Sequence, residues 1–134
     1  MVLADPCSYG EWVVGSSDIR DWDEAWPAAG SRFHHRVGLK PLTVSDHTEA
    51  VETDAPRRLV MRAKARPLGV ARVELLIEPH PEGSMVVMVE DPDVPLARWL
   101  VPPPVHLLIR VRNAESLRRL KRLAEAAEAK LSPR

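Results

Sequence analysis

The sequence has one cysteine, one phenylalanine, one tyrosine and six glycines in 134 residues. The lone Cys7 excludes an intramolecular disulfide, and no CxxC or Cys/His spacing marks a structural zinc. Nineteen Lys/Arg against nineteen Asp/Glu leave no net charge, so no global field draws nucleic acid or an anionic membrane. No apolar run approaches the roughly 18 residues of a membrane span. The Met1–Ala4 lead before Asp5-Pro6 is too short for a secretory signal core, and a cytoplasmic location is the expectation. Gly-rich phosphate loops, GxSxG and HExxH are absent, and nothing calls for a cofactor or a metal. With no internal repeat, low-complexity tract or linker, a single domain over residues 1–134 is expected.

Proline, by contrast, is abundant, with thirteen residues. Most fall between periodic segments and punctuate short strands. Asp5 and Pro6 open a short helix that carries Tyr9, Trp12 and Val13 on one face and stops at Gly15. Ile19–Trp22 is a short strand. Two-residue alternation then predicts strands at Arg32–Val37, Leu42–Thr53, Arg58–Arg66, Val70–Glu78 and Ser84–Glu90. Connections this short imply an antiparallel meander. In the third of these strands Leu59, Met61, Ala63 and Ala65 face inward, and in the fourth Ala71, Val73, Leu75 and Ile77 do. After Asp91-Pro92 the period turns helical. Pro95–Val101 is a first helical stretch, which Pro102-Pro103-Pro104 interrupts or kinks. A long helix from about Val105 to Leu131 carries Ile109, Leu117, Leu120, Ala124, Ala127 and Leu131 on one stripe.

One meander and one amphipathic helix have a simple packing solution. The sheet bends and grips the helix, so that both apolar faces leave water. Small inward residues such as Ala63, Ala65 and Ala71, in a chain with one Phe and one Tyr, leave room for a cavity.

Several segments carry a resemblance. They are Val2-Leu3-Ala4-Asp5-Pro6 with Tyr9 and Trp12, Asp46-His47-Thr48-Glu49-Ala50-Val51, Pro56-Arg57-Arg58-Leu59-Val60, and Glu82-Gly83-Ser84 leading to Glu90-Asp91. In this order they resemble the SRPBCC superfamily, which includes START lipid-transfer domains and polyketide cyclases/dehydrases, and most resemble its actinobacterial type. The resemblance spans essentially the whole chain. It implies an α+β helix-grip fold, a curved antiparallel sheet wrapped around a long C-terminal helix. Family members usually begin with a further strand, which here is lacking before Asp5-Pro6. A gap or unpaired sheet edge is the expected result.

The resemblance also implies that Val86, Met88 and Glu90 face inward, as do His47 and Glu49. These three polar residues, His47, Glu49 and Glu90, are the acid/base candidates, since burial brings a carboxyl pKa nearer neutrality. The plainer reading leaves His47 and Glu49 solvated, or paired with Arg or Lys across the sheet. The ligand-lining candidates are Trp12, Val51, Met61 and Val73, together with Leu75, Met88 and Trp99. His34-His35 cannot chelate one ion from a regular strand, because neighbouring side chains point to opposite faces. One His outside and one lining the cavity is the expectation. Arg118, Arg119, Lys121 and Arg122 form a basic cluster that reads as a solvated helix face offset by Glu115 and Glu125. The expected function is binding or carriage of a small hydrophobic molecule, such as a lipid, polyketide or isoprenoid. The alternative is a polyketide cyclase or dehydratase, and a third is a protein-interaction module using the open sheet edge, where two copies could also pair.

Overall fold

A computed structural model of the chain describes residues 2–65, 69–93 and 102–132. Two 3-10 turns, Val2–Ala4 and Pro6–Ser8, lead into helix α1 at Tyr9–Trp12. Asp5 caps the second turn, its Oδ1 accepting from the Cys7 N–H at 2.9 Å. The sheet follows as β1 (Ser16–Trp22), β2 (Arg32–Leu39), β3 (Leu42–Asp54), β4 (Arg58–Ala65), β5 (Gly69–His80) and β6 (Gly83–Pro92). Helix α2 spans Pro103–Leu131. The six strands are antiparallel and lie side by side in chain order, which leaves β1 and β6 as the two edges. Gly38 permits the tight β2–β3 hairpin: at φ 125° a Cβ there would collide with the Leu42 carbonyl oxygen.

Several boundaries differ from the sequence reading, each for a local reason. The first helix ends at Trp12 rather than at Gly15. Strand β1 begins three residues earlier than Ile19, and its pairing with β2 breaks between Ser17 and Asp21. Strand β5 runs on through Pro79 to His80, past the expected end at Glu78. Its pairing with β4 stops at Leu76, so the missing N–H of Pro79 interrupts no ladder on that side, while Pro79 still pairs in register with Ser84 on β6. Helix α2 starts within the triple proline, at Pro103, close to the expected start at about Val105. Pro103 and Pro104 occupy the first turn, where a helix has no use for the N–H. The stretch read as helical before it, Pro95–Val101, lies outside the described residues.

The core joins the inner face of the sheet to α1 and the second half of α2. Four of the chain's six aromatic residues meet there. Phe33 stacks with ring centroids 4.8 Å from Tyr9 and 4.7 Å from Trp26, and Tyr9 touches Trp12 at 5.1 Å. Leu59, Met61 and Leu75 are buried against them as the alternation predicts, with Val73 partly buried beside them. The Ala65 side chain is outside the described residues. On α2 the buried positions are Ser116 and Leu120, with Leu117 and Leu123 packed against the core. Ala124 and Leu131, expected on the buried stripe, are exposed. The helix docks through Ser116–Leu123, and the stripe past that point is largely left in water. The other face of the sheet is closed by ion pairs. Arg58 binds both Glu52 and Glu74, the two residues that flank buried Val60 in register.

A side chain of α2 also ties the helix to the start of the sheet. The Val14 N–H donates to Ser116 Oγ at 3.0 Å, across 102 residues of chain. Ser116→Ala is expected to lower stability by about 1–2 kcal/mol, the cost of leaving a part-buried backbone donor unpaired. A urea titration reads this directly, and an unchanged midpoint would show that water replaces the hydroxyl.

Candidate functional site

Between the sheet and α2 lies a cavity of about 100 Å³, well above the ~10–15 Å³ that one water requires. Alternation along each strand delivers its walls. Helix α1 contributes Tyr9 and Trp12, and β2 contributes Phe33, His35 and Val37. Met61 and Ala63 of β4 face Val73 and Ala71 of β5, their direct register partners. Met88 and Glu90 close the side at β6, and Arg112, Asn113 and Ser116 of α2 form the roof. The small side chains of Ala63 and Ala71 sit opposite each other, which is where the room comes from.

Several polar groups in this wall have protein partners. His35 is buried, with Nδ1 2.6 Å from Ser16 Oγ and Nε2 3.1 Å from Thr48 Oγ1. Burial pushes its imidazole down from 6.5 to about 4, with the Asp46 carboxylate opposing the shift. The ring is therefore neutral at pH 7, with one donor and one acceptor for two hydroxyls. Tyr9 donates its hydroxyl to the Leu3 carbonyl at 2.9 Å, and burial pushes that hydroxyl well above its ordinary value, keeping it a donor. Glu90, only 10% exposed, is ion-paired with Arg112, whose Nη2 also reaches Asn113 Oδ1 at 3.1 Å.

The sequence-stated candidates divide between two faces. Trp12, Met61, Val73, Met88 and Glu90 line the cavity. Leu75 is fully buried in the core but not in the cavity wall. Val51 sits at a break in β3–β4 pairing, between Ala50 and Glu52, and does not reach the cavity. Trp99 lies outside the described residues. The inward placement of His47 and Glu49 is corrected. In β3 it is Thr48 that lines the cavity and Ala50 that enters the core, so the odd positions face out. Glu49 meets its register partner Arg32 at 3.1 Å, the plainer of the two outcomes. His47 opposes His34 across the strands, ring centroids 5.6 Å apart. Burial holds the His47 imidazole below its ordinary value, helped by the nearby Lys64 and Arg32 charges. Among the described residues no group of three or more His, Cys, Asp or Glu is placed to hold a metal ion.

Ser16, Thr48 and Arg112 are not singled out from the sequence as site residues. Of the His34-His35 pair, from which one ring in the cavity wall is expected, it is His35 that lies there. On α2 the basic cluster is offset as expected: Glu115 takes Arg119 at 3.0 Å, Arg122 at 3.6 Å and Arg118 at 3.7 Å, and Lys121 pairs with Glu125 at 3.7 Å. Those guanidinium groups hold the Glu115 carboxyl below its ordinary value, the Arg119 hydrogen bond most of all.

A curved antiparallel sheet closed by one long helix, with an apolar hollow between, defines an α+β helix-grip protein of the SRPBCC type. A family model described as "Polyketide cyclase / dehydrase and lipid transport" matches residues 1–125, and the chain belongs to that family. Its fold is similar to the crystal structure of a Nitrosomonas europaea protein, with a TM-score of 0.67 and 17% identity over 91% of this chain and 81% of the other. At that identity the likeness speaks for the fold alone. No curated protein matches the chain. Among the described residues no helix is long and apolar enough to cross a membrane.

Proposed function

We propose that this protein binds and carries a small hydrophobic molecule in the cavity between the sheet and α2. The observation that carries this is the character of the wall: Trp12, Phe33, Met61, Val73 and Met88 around a hollow, with His35 paired to Ser16 and Thr48 and Glu90 paired to Arg112. Such a surface gains by desolvating an apolar ligand, and a few polar groups suffice to orient it. The family description includes lipid transport, which accords with this reading. The cyclase or dehydratase alternative draws less support. His47 and Glu49 face away from the cavity, and Glu90 is held by Arg112. The single, exposed Cys7 accords with a cytoplasmic carrier.

The test fills the cavity. Ala63→Leu and Ala71→Leu each add side-chain volume at facing positions of the wall. Both are expected to weaken uptake of benzene, a probe small enough for a hollow of about 100 Å³, by roughly tenfold or more in calorimetry while leaving the circular dichroism unchanged. Wild-type affinity in both folded variants would remove the cavity as the binding site.

A further inference from the structure

The side chains of His34 and His35 point to opposite faces of β2, and His35 takes the cavity. His34 is exposed on the other face of the sheet. Its register partner on β3 is His47, also turned outward and half-buried. The ring centroids of these two imidazoles are 5.6 Å apart. Two imidazoles held by one tetrahedral ion, with nitrogen–metal bonds of about 2.0–2.1 Å, have centroids about 5 Å apart. The pair thus stands close to chelating distance, and the exposed His34 ring has room to turn.

The surroundings bear on what such a pair would hold. Both rings line an open depression that also includes Arg20, Asp21 and Asp46. Asp21 of β1 is the register partner of His34, so a carboxylate stands beside the pair on the neighbouring strand. The Asp46 side chain is 1% exposed, and its Oδ1 lies 3.9 Å from His47 Nδ1. That carboxylate favours the proton on Nδ1 and leaves Nε2 with the lone pair that binds a metal. Arg20, Lys64 and Arg32 oppose a cation here, although Arg32 is already paired with Glu49 at 3.1 Å. Among the described residues no third protein ligand joins the two rings, so water completes the coordination shell.

We propose that His34 and His47 form a two-histidine site for a divalent transition-metal ion of the zinc, nickel and copper class, on the face of the sheet away from the cavity. Imidazole nitrogen selects that class over magnesium and calcium, which take oxygen ligands. The site goes beyond the carrier function and does not depend on it. Calorimetric titration of the full chain with Zn²⁺ tests it. Wild type is expected to take up one equivalent, and His34→Ala and His47→Ala each to bind it at least about tenfold more weakly. His80→Ala, which removes an exposed histidine on β5, is expected to bind as wild type does. In NMR spectra of the unmutated protein, Zn²⁺ is expected to shift the ring signals of His34 and His47 together, and Mg²⁺ to shift neither. That second readout decides the matter if a variant does not fold. Unchanged affinity in either His34→Ala or His47→Ala, an equal loss in His80→Ala, a zinc response confined to one of the two rings, or no uptake by wild type overturns the proposal.

Discussion

Phe33→Ala is expected to destabilise the protein by about 3–5 kcal/mol, at the upper end for a single core truncation. The ring is 1% exposed and lies within 5.1 Å, centroid to centroid, of Tyr9, Trp26 and His35. Removing it leaves three other rings with an empty side. The void would merge with the existing hollow between sheet and helix, because Phe33 is also part of that wall. Relaxation that could shrink the loss is limited, since Tyr9 and Trp26 are both pinned to Leu3 O. Phe33→Leu retains most of the apolar volume and is expected to lose far less. Urea unfolding of both variants checks this, and a loss near 1 kcal/mol for the alanine would mean the aromatic cluster is not the centre of the core.

Acid should weaken the fold well above the range in which carboxylates titrate. The folded-state value of His35 is about 4 against an ordinary value of 6.5. Between those limits the unfolded chain binds a proton that the folded chain refuses. Stability therefore rises with pH across that window, is fully present above about pH 6.5, and is lost as pH falls toward 4. A shift of this size corresponds to about 3 kcal/mol. His47, also held low, adds in the same sense. Glu74 is held below its ordinary value first by its hydrogen bond from Arg58, and its contribution is lost at lower pH, below the carboxylate range of the unfolded chain. The part owed to His35 is thus the difference between wild type and His35→Gln, which keeps one donor and one acceptor for Ser16 and Thr48. Guanidinium titrations at a series of pH values between 7 and 4 measure it. Parallel curves for the two proteins would mean the buried ring protonates without resistance.

The fold was legible wherever one parity of a strand was apolar and the other charged. Ala71, Val73 and Leu75 against Arg72 and Glu74 leave no doubt about the face, and the register agrees. Strand β3 offers no such contrast. Across Ser45, Asp46, His47, Thr48 and Glu49 both parities are polar, so its orientation is decided elsewhere in the strand. Ala50 enters the core, and the irregularity before Glu52 changes the parity beyond it. That is why His47 and Glu49 turn outward while Asp46 and Thr48 are buried. The roof of the cavity was hidden for a related reason. Arg112, Asn113 and Ser116 are polar, so a search for an apolar stripe on α2 passes over them, although each faces the hollow. Pro79 does not end its strand because a proline's effect there depends on what pairs beside it, which a local pattern does not contain.

Because every strand pairs with its neighbour in chain order, each ladder closes only a short loop, and the entropy lost in forming it is small. The Val14–Ser116 tie is different: it joins points 102 residues apart. Hairpins can therefore zip one after another before the terminal helix arrives, and the clasp is expected to assemble last. Stability removed at that clasp then appears as faster opening rather than slower folding. The same contact lies at the roof of the hollow, since Ser116 and Val14 both line it, so losing it loosens that side of the cavity wall.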